Sequence, residues 1–232
     1  MRFETAVIQK IQITSDVISI RFNRPEGFDF TAGQYMFIKL KSGGKQLEKH
    51  FTISSSPTEL DYIAMTKKLT GHEFANALAA LKEGDKVTIN APFGDFMFNG
   101  EYDKIGMLSG GIGITPLRSI IRYCTDKKIG TNIALLYSNS SENDIAFKNE
   151  FEEMQRQNKN LKVVNTITHP GKEWKGLTGR IDKEMVQKEI PDHMERVFYI
   201  SGPPKMVDAM VSILKELNVP GKQIKQEYFP GY

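Results

Sequence analysis

At 232 residues the chain is long for one domain and suits two of about 100 to 130 residues each; its 40% hydrophobic and 25% charged residues exclude wholesale disorder or a fibrous repeat. A net charge of +3 without a run of like charges gives no nucleic-acid footprint. The single cysteine, Cys124, excludes an internal disulfide and a thiolate-held iron–sulfur cluster, so any such cluster must sit on a partner.

Met1 to Lys10 carry no basic-then-apolar leader, and no stretch approaches the roughly 18 apolar residues that span a bilayer. A cytoplasmic protein without a membrane span is expected. His50, His72, His169 and His193 lack metal-ligand spacing, and no metal is expected.

From Phe3 to about Asn99 the pattern is that of short strands: FETAVIQKIQIT, VISIRFN, QYMFIKLK, HFTIS, DYIAMTKKL and KVTIN, separated by turn clusters such as RPEG and KSGG. The expectation is an antiparallel barrel. One helix interrupts it, EFANALAALK, with Phe74, Leu78 and Leu81 on one face and Gly84 as its stop. After Gly100 the rhythm becomes strand, glycine turn, helix. IGMLSGG precedes TPLRSIIRYCTDK, NIALLYS precedes AFKNEFEEMQRQ, LKVVNTIT follows, and VFYISGPP precedes KMVDAMVSILKEL. Such alternation predicts a parallel sheet with crossover helices. The expected domains are 1–100 and 101–232. Trp174 is assigned only a packing role.

Ser109-Gly110-Gly111-Ile112-Gly113-Ile114-Thr115-Pro116 follows an apolar strand and opens a helix. Glycines there let a backbone approach a pyrophosphate, whose charge is favoured by free amides at the helix start. Pro116 suits the first helical turn because it has no amide hydrogen to satisfy. Ser201-Gly202-Pro203-Pro204 ends a second apolar strand, and two glycine turns at the carboxyl ends of a parallel sheet would line one crevice. In the barrel half, Lys49-His50-Phe51-Thr52-Ile53-Ser54 alternates, sending Lys49, Phe51 and Ile53 to one face and His50, Thr52 and Ser54 to the other. By itself this is also the pattern of an ordinary amphipathic strand.

Four motifs in fixed order give the chain its resemblance to the ferredoxin–NADP⁺ reductase superfamily. They are Lys49-His50-Phe51-Thr52, Pro92-Phe93-Gly94-Asp95-Phe96, Gly110 to Pro116, and Ser201-Gly202-Pro203 with the C-terminal Glu227-Tyr228-Phe229-Pro230-Gly231-Tyr232. The resemblance implies a six-stranded antiparallel Greek-key FAD barrel followed by a Rossmann-like NAD(P)-binding α/β domain. It implies that Thr52 bonds the flavin edge, Phe51 stacks on the ring system, and Lys49 meets the pyrophosphate, with His50 and Ile53 flanking them. Lys68, Thr70 and Gly71 resemble a second pyrophosphate contact. Gly110, Gly111, Gly113, Ile114, Thr115 and Pro116 resemble the dinucleotide turn, with Ser138 on the next strand end. Ser201, Gly202 and Pro203 would face the nicotinamide, while Glu227, Phe229 and Tyr232 resemble a tail reaching back to the flavin. Thr52, Ser201 and Glu227 are the catalytic candidates.

Three positions depart from the family pattern. Lys49 stands where Arg is usual, giving a point charge for a bidentate fork and leaving FMN open beside FAD. Ser201 replaces a common Cys, and Ala75 a common hydroxyl. The activity implied is hydride transfer from NADH or NADPH to bound FAD, then onward to a redox protein or small-molecule acceptor: an iron–sulfur protein such as ferredoxin, a haem or a quinone. The segment 137–144 offers Glu142 and Asp144 but no arginine, which favours NADH over a donor with a 2′-phosphate. A reductase of freely dissociating flavin and an electron-transfer subunit needing a partner enzyme remain alternatives.

Overall fold

The computed structural model describes residues 1–229. Its first half is a six-stranded antiparallel sheet of β1 (Arg2–Gln12), β2 (Val17–Asn23), β3 (Tyr35–Ser42), β4 (Lys45–Thr52), β5 (Tyr62–Lys68) and β6 (Lys86–Phe93). The order is β4-β3-β6-β1-β2-β5, the Greek-key return placing β6 between β1 and β3. The two edges meet where Ser54 N donates to Ala64 O (2.8 Å) and Ala64 N donates to Ser55 Oγ (2.9 Å). Period-two alternation sends Met36, Ile38 and Leu40 into the barrel core, leaving Tyr35, Phe37 and Lys39 on the outer face.

β4 begins well before the expected HFTIS segment. Gly43 and Gly44, with φ of 54° and 78°, form a two-residue turn that pairs Ser42 with Lys45, so the hairpin zips from its tip. The helix α1 (Glu73–Ala80) buries Phe74 and Leu78 but stops short of Lys82. Gly84 is not its terminator. Lys10 Nζ donates to Ala79 O (2.6 Å) and Leu81 O (2.9 Å), satisfying carbonyls at the helix end.

The second half is a parallel sheet of order β10-β9-β8-β7-β11-β12. Its elements are β7 (Lys104–Gly110), α2 (Ile114–Asp126), β8 (Asn132–Asn139), α3 (Lys148–Gln157), β9 (Leu161–Ile167), β10 (Leu177–Thr178), α4 (Lys183–Glu189), β11 (Val197–Gly202), α5 (Pro204–Glu216) and β12 (Ile224–Tyr228). Near-continuous apolar runs in β7, β8 and β11 fit strands covered on both faces. Three elements were not expected: β10, α4 and β12. The supposed C-terminal tail is in fact an edge strand through Tyr228, pairing Ser201 with Glu227. Trp174 anchors the loop before β10, its Nε1 donating to Leu177 O (2.9 Å). Burial pushes the Cys124 thiol up to about 12, which leaves it inert.

The halves are locked together. Phe96 and Phe98, beyond β6, pack with Ala32 in the core of the α/β half. Arg118 on α2 donates to Ser54 O (3.1 Å) and pairs with Glu59 (2.5 Å) and Glu150 (2.6 Å), while Ser119 Oγ donates to Ser55 O (2.7 Å). Burial opposes the Glu59 charge, but the Arg118 bond and field outweigh it and hold the carboxyl down at about 2. The Ser54-Ser55-Ser56 turn is thus the domain latch.

Candidate functional site

At the carboxyl ends of β7, β8 and β11 lies a crevice of about 670 Å³. Gly110, Gly111, Ser138 and Pro203 line it, so both glycine turns face one cavity. Gly111 has φ of 53°, and nothing lies within 4 Å of where its Cβ would stand. Its carbonyl is tethered by the buried Tyr137 hydroxyl (2.9 Å). The turn Gly111–Gly113 runs into α2, aiming free amides and the positive helix end into this region. Asn139, Asp144, His169, Arg180 and Lys205 complete the polar wall.

A second cleft, about 360 Å³, opens beside the barrel. Tyr35 and Phe37 of β3 and His50 of β4 form its outer-face rings, with centroids 5.4 to 5.8 Å apart. Lys49, Phe51 and Thr52 enter from β4, Lys67 from β5 and Ala75 from α1. From the other half come Thr115, Glu227 and Phe229. The Thr52 hydroxyl makes no hydrogen bond within the described residues. Burial, and next the Lys49 charge, push Lys67 down to about 8. Burial alone pushes Glu227 up to about 8, and among the described residues its Oε2 is enclosed without a hydrogen-bond partner.

Cleft and crevice meet at one point. Thr70 lines both, and the entry of α2 presents Gly111 and Ile112 to the crevice and Thr115 to the cleft.

The residues singled out in the sequence divide accordingly. Lys49, His50, Phe51, Thr52, Thr115, Glu227 and Phe229 come together in the cleft, and Lys68, Gly110, Gly111, Ser138 and Pro203 in the crevice. Lys68 is also paired to Asp16 (2.8 Å). Ile53 lies in neither wall, being fully buried in the barrel core. Gly71 is exposed, its carbonyl accepting from Asn76 Nδ2 (2.9 Å). Gly113, Ile114 and Pro116 are buried behind the turn, and Gly202 packs against Gly113. Ser201 is fully buried and spends its hydroxyl on Gly113 O (2.6 Å). Tyr232 lies outside the described residues. Sequence reading missed Tyr35, Phe37 and Lys67. Two rings at alternate, outward positions of β3 were the available signal.

Two features fit the groups such cavities would take. Among the described residues Glu227 Oε2 is an enclosed polar atom without a partner at the cleft, and Gly111 borders the crevice with open space where a Cβ would stand. Among the described residues no group of His, Cys, Asp and Glu is arranged to hold a metal, and no helix is long and apolar enough to cross a membrane.

Fold and site together define a two-domain frame, a barrel with a cleft beside it and a parallel sheet with a crevice at its strand ends. Residues 4–98 match the oxidoreductase FAD-binding domain family and residues 107–212 the oxidoreductase NAD-binding domain family. The chain therefore carries both oxidoreductase domain families in tandem, on a ferredoxin-reductase-like fold. It is 30% identical over 222 residues to the glycine betaine monooxygenase reductase subunit of Chromohalobacter salexigens, covering 92% of this chain and 60% of that protein. The counterpart in Pseudomonas aeruginosa is 31% identical over 217 residues, covering 90% and 59%. The chain therefore spans about 60% of the length of these relatives. In fold it is similar to a ferredoxin NADP⁺ reductase from Neisseria gonorrhoeae with bound FAD and NADP, with a TM-score of 0.83 at 20% identity over 98% of each chain.

Proposed function

We propose that the chain draws a hydride from NADH or NADPH onto FAD held in the cleft and hands the electrons to a separate acceptor, an iron–sulfur protein, a haem or a quinone. The junction carries this reading: a single helix entry serves both cavities, and Thr70 borders each. When bound, FAD supplies the redox chemistry, since it takes two electrons together and can release them singly. The chain's own residues hold, orient and keep out water. Thr52 would donate its unspent hydroxyl to the flavin edge, with Phe51 as an apolar wall and Lys49 as the phosphate cation. Free amides at Gly111 and the start of α2 would receive the dinucleotide phosphates. Glu227, protonated at neutral pH because burial raises it to about 8, holds a proton in the cleft wall. Ser201 acts through Gly113, fixing the turn rather than touching the ring.

NADH is the donor this reading favours. Asp144 stands in the crevice wall, and Lys148, a candidate for a 2′-phosphate, is held by Glu142 (2.6 Å). Arg180 and Lys205 are the opposing cations in that wall, with Lys68 paired to Asp16. A cytoplasmic location, where these donors are regenerated, goes with the same reading.

An absorption spectrum of the FAD-reconstituted protein, taken before and after anaerobic NADH or NADPH, tests it. A yellow protein bleached by NADH at the higher kcat/KM is the expected result. A protein showing neither flavin association nor bleaching by either nucleotide would overturn the reading. Colourless protein that reduces added flavin would replace it with a free-flavin reductase, and yellow protein inert toward ferricyanide with a partner-dependent subunit. A clear NADPH preference would reverse the donor assignment alone.

A further inference from the structure

Resting on the reading of the larger cavity as a dinucleotide crevice, we propose that Met206 is its movable wall, and that Gly110 is glycine to give the Met206 thioether a seat. The glycines at this end of the sheet meet different neighbours. A Cβ on Gly113 would lie 2.4 Å from Ser201 O and 2.5 Å from Gly202 Cα, backbone atoms with no room to yield. A Cβ on Gly110 would meet one atom at such range, Met206 Sδ at 2.3 Å, and the next, Ser138 O, stands off at 3.4 Å. The backbone of Gly110 is extended, with φ of −144° and ψ of 138°, a conformation that any residue adopts. Nothing local demands glycine at 110. The demand comes from the thioether.

Met206 lies in the first turn of α5, half-buried, and lines the crevice beside Gly110 and Pro203. Its methyl carbon also fills the notch over Gly202, where a Cβ would fall 2.2 Å away. One side chain therefore sets the floor between the two turns. An unbranched thioether has three rotatable side-chain bonds and shifts at little cost. Pushed off its seat, it has the crevice itself to move into, which is the space a dinucleotide needs. The usual reading of such a motif makes Gly110 a point of close approach to the pyrophosphate. In that case a side chain at 110 blocks the ligand whatever stands at 206. The two accounts differ in whether a change at 206 restores binding.

The test uses the full chain reconstituted with FAD, calorimetric titration with NAD⁺ and NADP⁺ as probes, and Tm. Gly110→Ala should keep Tm near that of the parent while weakening the tighter probe by about tenfold or more. Adding Met206→Ala should bring affinity back to within about threefold of the Met206→Ala single variant. Gly113→Ala, which drives a Cβ into backbone, should lower Tm and stay weak in combination with Met206→Ala. A double variant as weak as Gly110→Ala, or a Gly110→Ala protein that binds as tightly as the parent, would overturn the proposal. Parent protein that binds neither probe would instead defeat the crevice reading beneath it.

Discussion

The cleft and the crevice share a helix entry but are built in opposite ways. The crevice is made largely by contiguous turns at Gly110–Gly111 and Pro203, where the chain bares its own amides. The cleft is made by side chains brought from far apart: Tyr35 and Phe37 from β3, Lys67 from β5, Thr115 from α2 and Glu227 from β12. Three of this set belong to the barrel and two to the α/β half. The crevice therefore depends mainly on backbone shape at the strand ends of the parallel sheet, with Lys68 and Thr70 of the barrel half at its border, whereas the cleft takes its side chains from both domains.

The largest effect should come from parting those two domains. Arg118 is buried between Glu59 and Glu150, so Arg118→Ala strands a buried carboxylate and should cost about 3–5 kcal/mol of stability. Thermal unfolding measures the loss. Weakened FAD retention should accompany it, because Thr115 and Glu227 leave the cleft wall; unchanged retention would show that the barrel binds flavin alone. Acid should act on the same latch. The Glu59 carboxyl falls from 4.5 to about 2 on folding, so its contribution is complete above pH 4.5 and is lost as pH falls toward 2. A Glu59→Gln protein should lack that acid limb.

A smaller, chemical effect is expected at Thr52. Thr52→Val keeps the shape of the side chain and removes the one hydroxyl in the cleft's β4 wall that no protein group uses. Stability should hold, while the rate of flavin reduction by NADH in stopped flow falls by about tenfold, the worth of one hydrogen bond made at the reacting edge. An unchanged rate would remove Thr52 from the machinery.

How far the sequence reached follows from the same contrast. Gly110–Pro116 and Ser201–Pro204 were legible because each turn is local: strand, glycine, helix in one short stretch. Thr52 and Phe51 were legible only through the Lys49-to-Thr52 motif that carries the resemblance, since strand alternation sends them to opposite faces and yet both line the cleft. Tyr35, Phe37 and Lys67 were not, because their shared cavity follows from the β4-β3-β6 order, which no local pattern encodes. Ser201 illustrates the reverse case. A hydroxyl beside a glycine turn reads as a ligand group, yet its partner is Gly113 O across the sheet. β12 was hidden for a related reason: Ile224–Tyr228, IKQEY, is too polar to announce a buried strand, and it forms by edge pairing to β11.

Glu227 offers the most pH-specific effect, and it probes the point where the edge strand enters the cleft. Burial raises its carboxyl from 4.5 to about 8, so the folded protein prefers the protonated form. Below pH 4.5 both folded and unfolded chains carry the proton, and the group is neutral to stability. As pH rises from 4.5 toward 8 the unfolded chain ionises first, and stability drains away until the folded carboxyl also ionises. Glu227→Gln keeps the shape and cannot ionise. Its Tm should match the parent near pH 4.5 and exceed it near pH 8. Flavin reduction should carry the same signature, the parent changing rate through pH 8 and the variant staying flat. Parallel Tm curves across that range would mean that the carboxyl is not held neutral, and that Glu227 reaches solvent when the domains breathe.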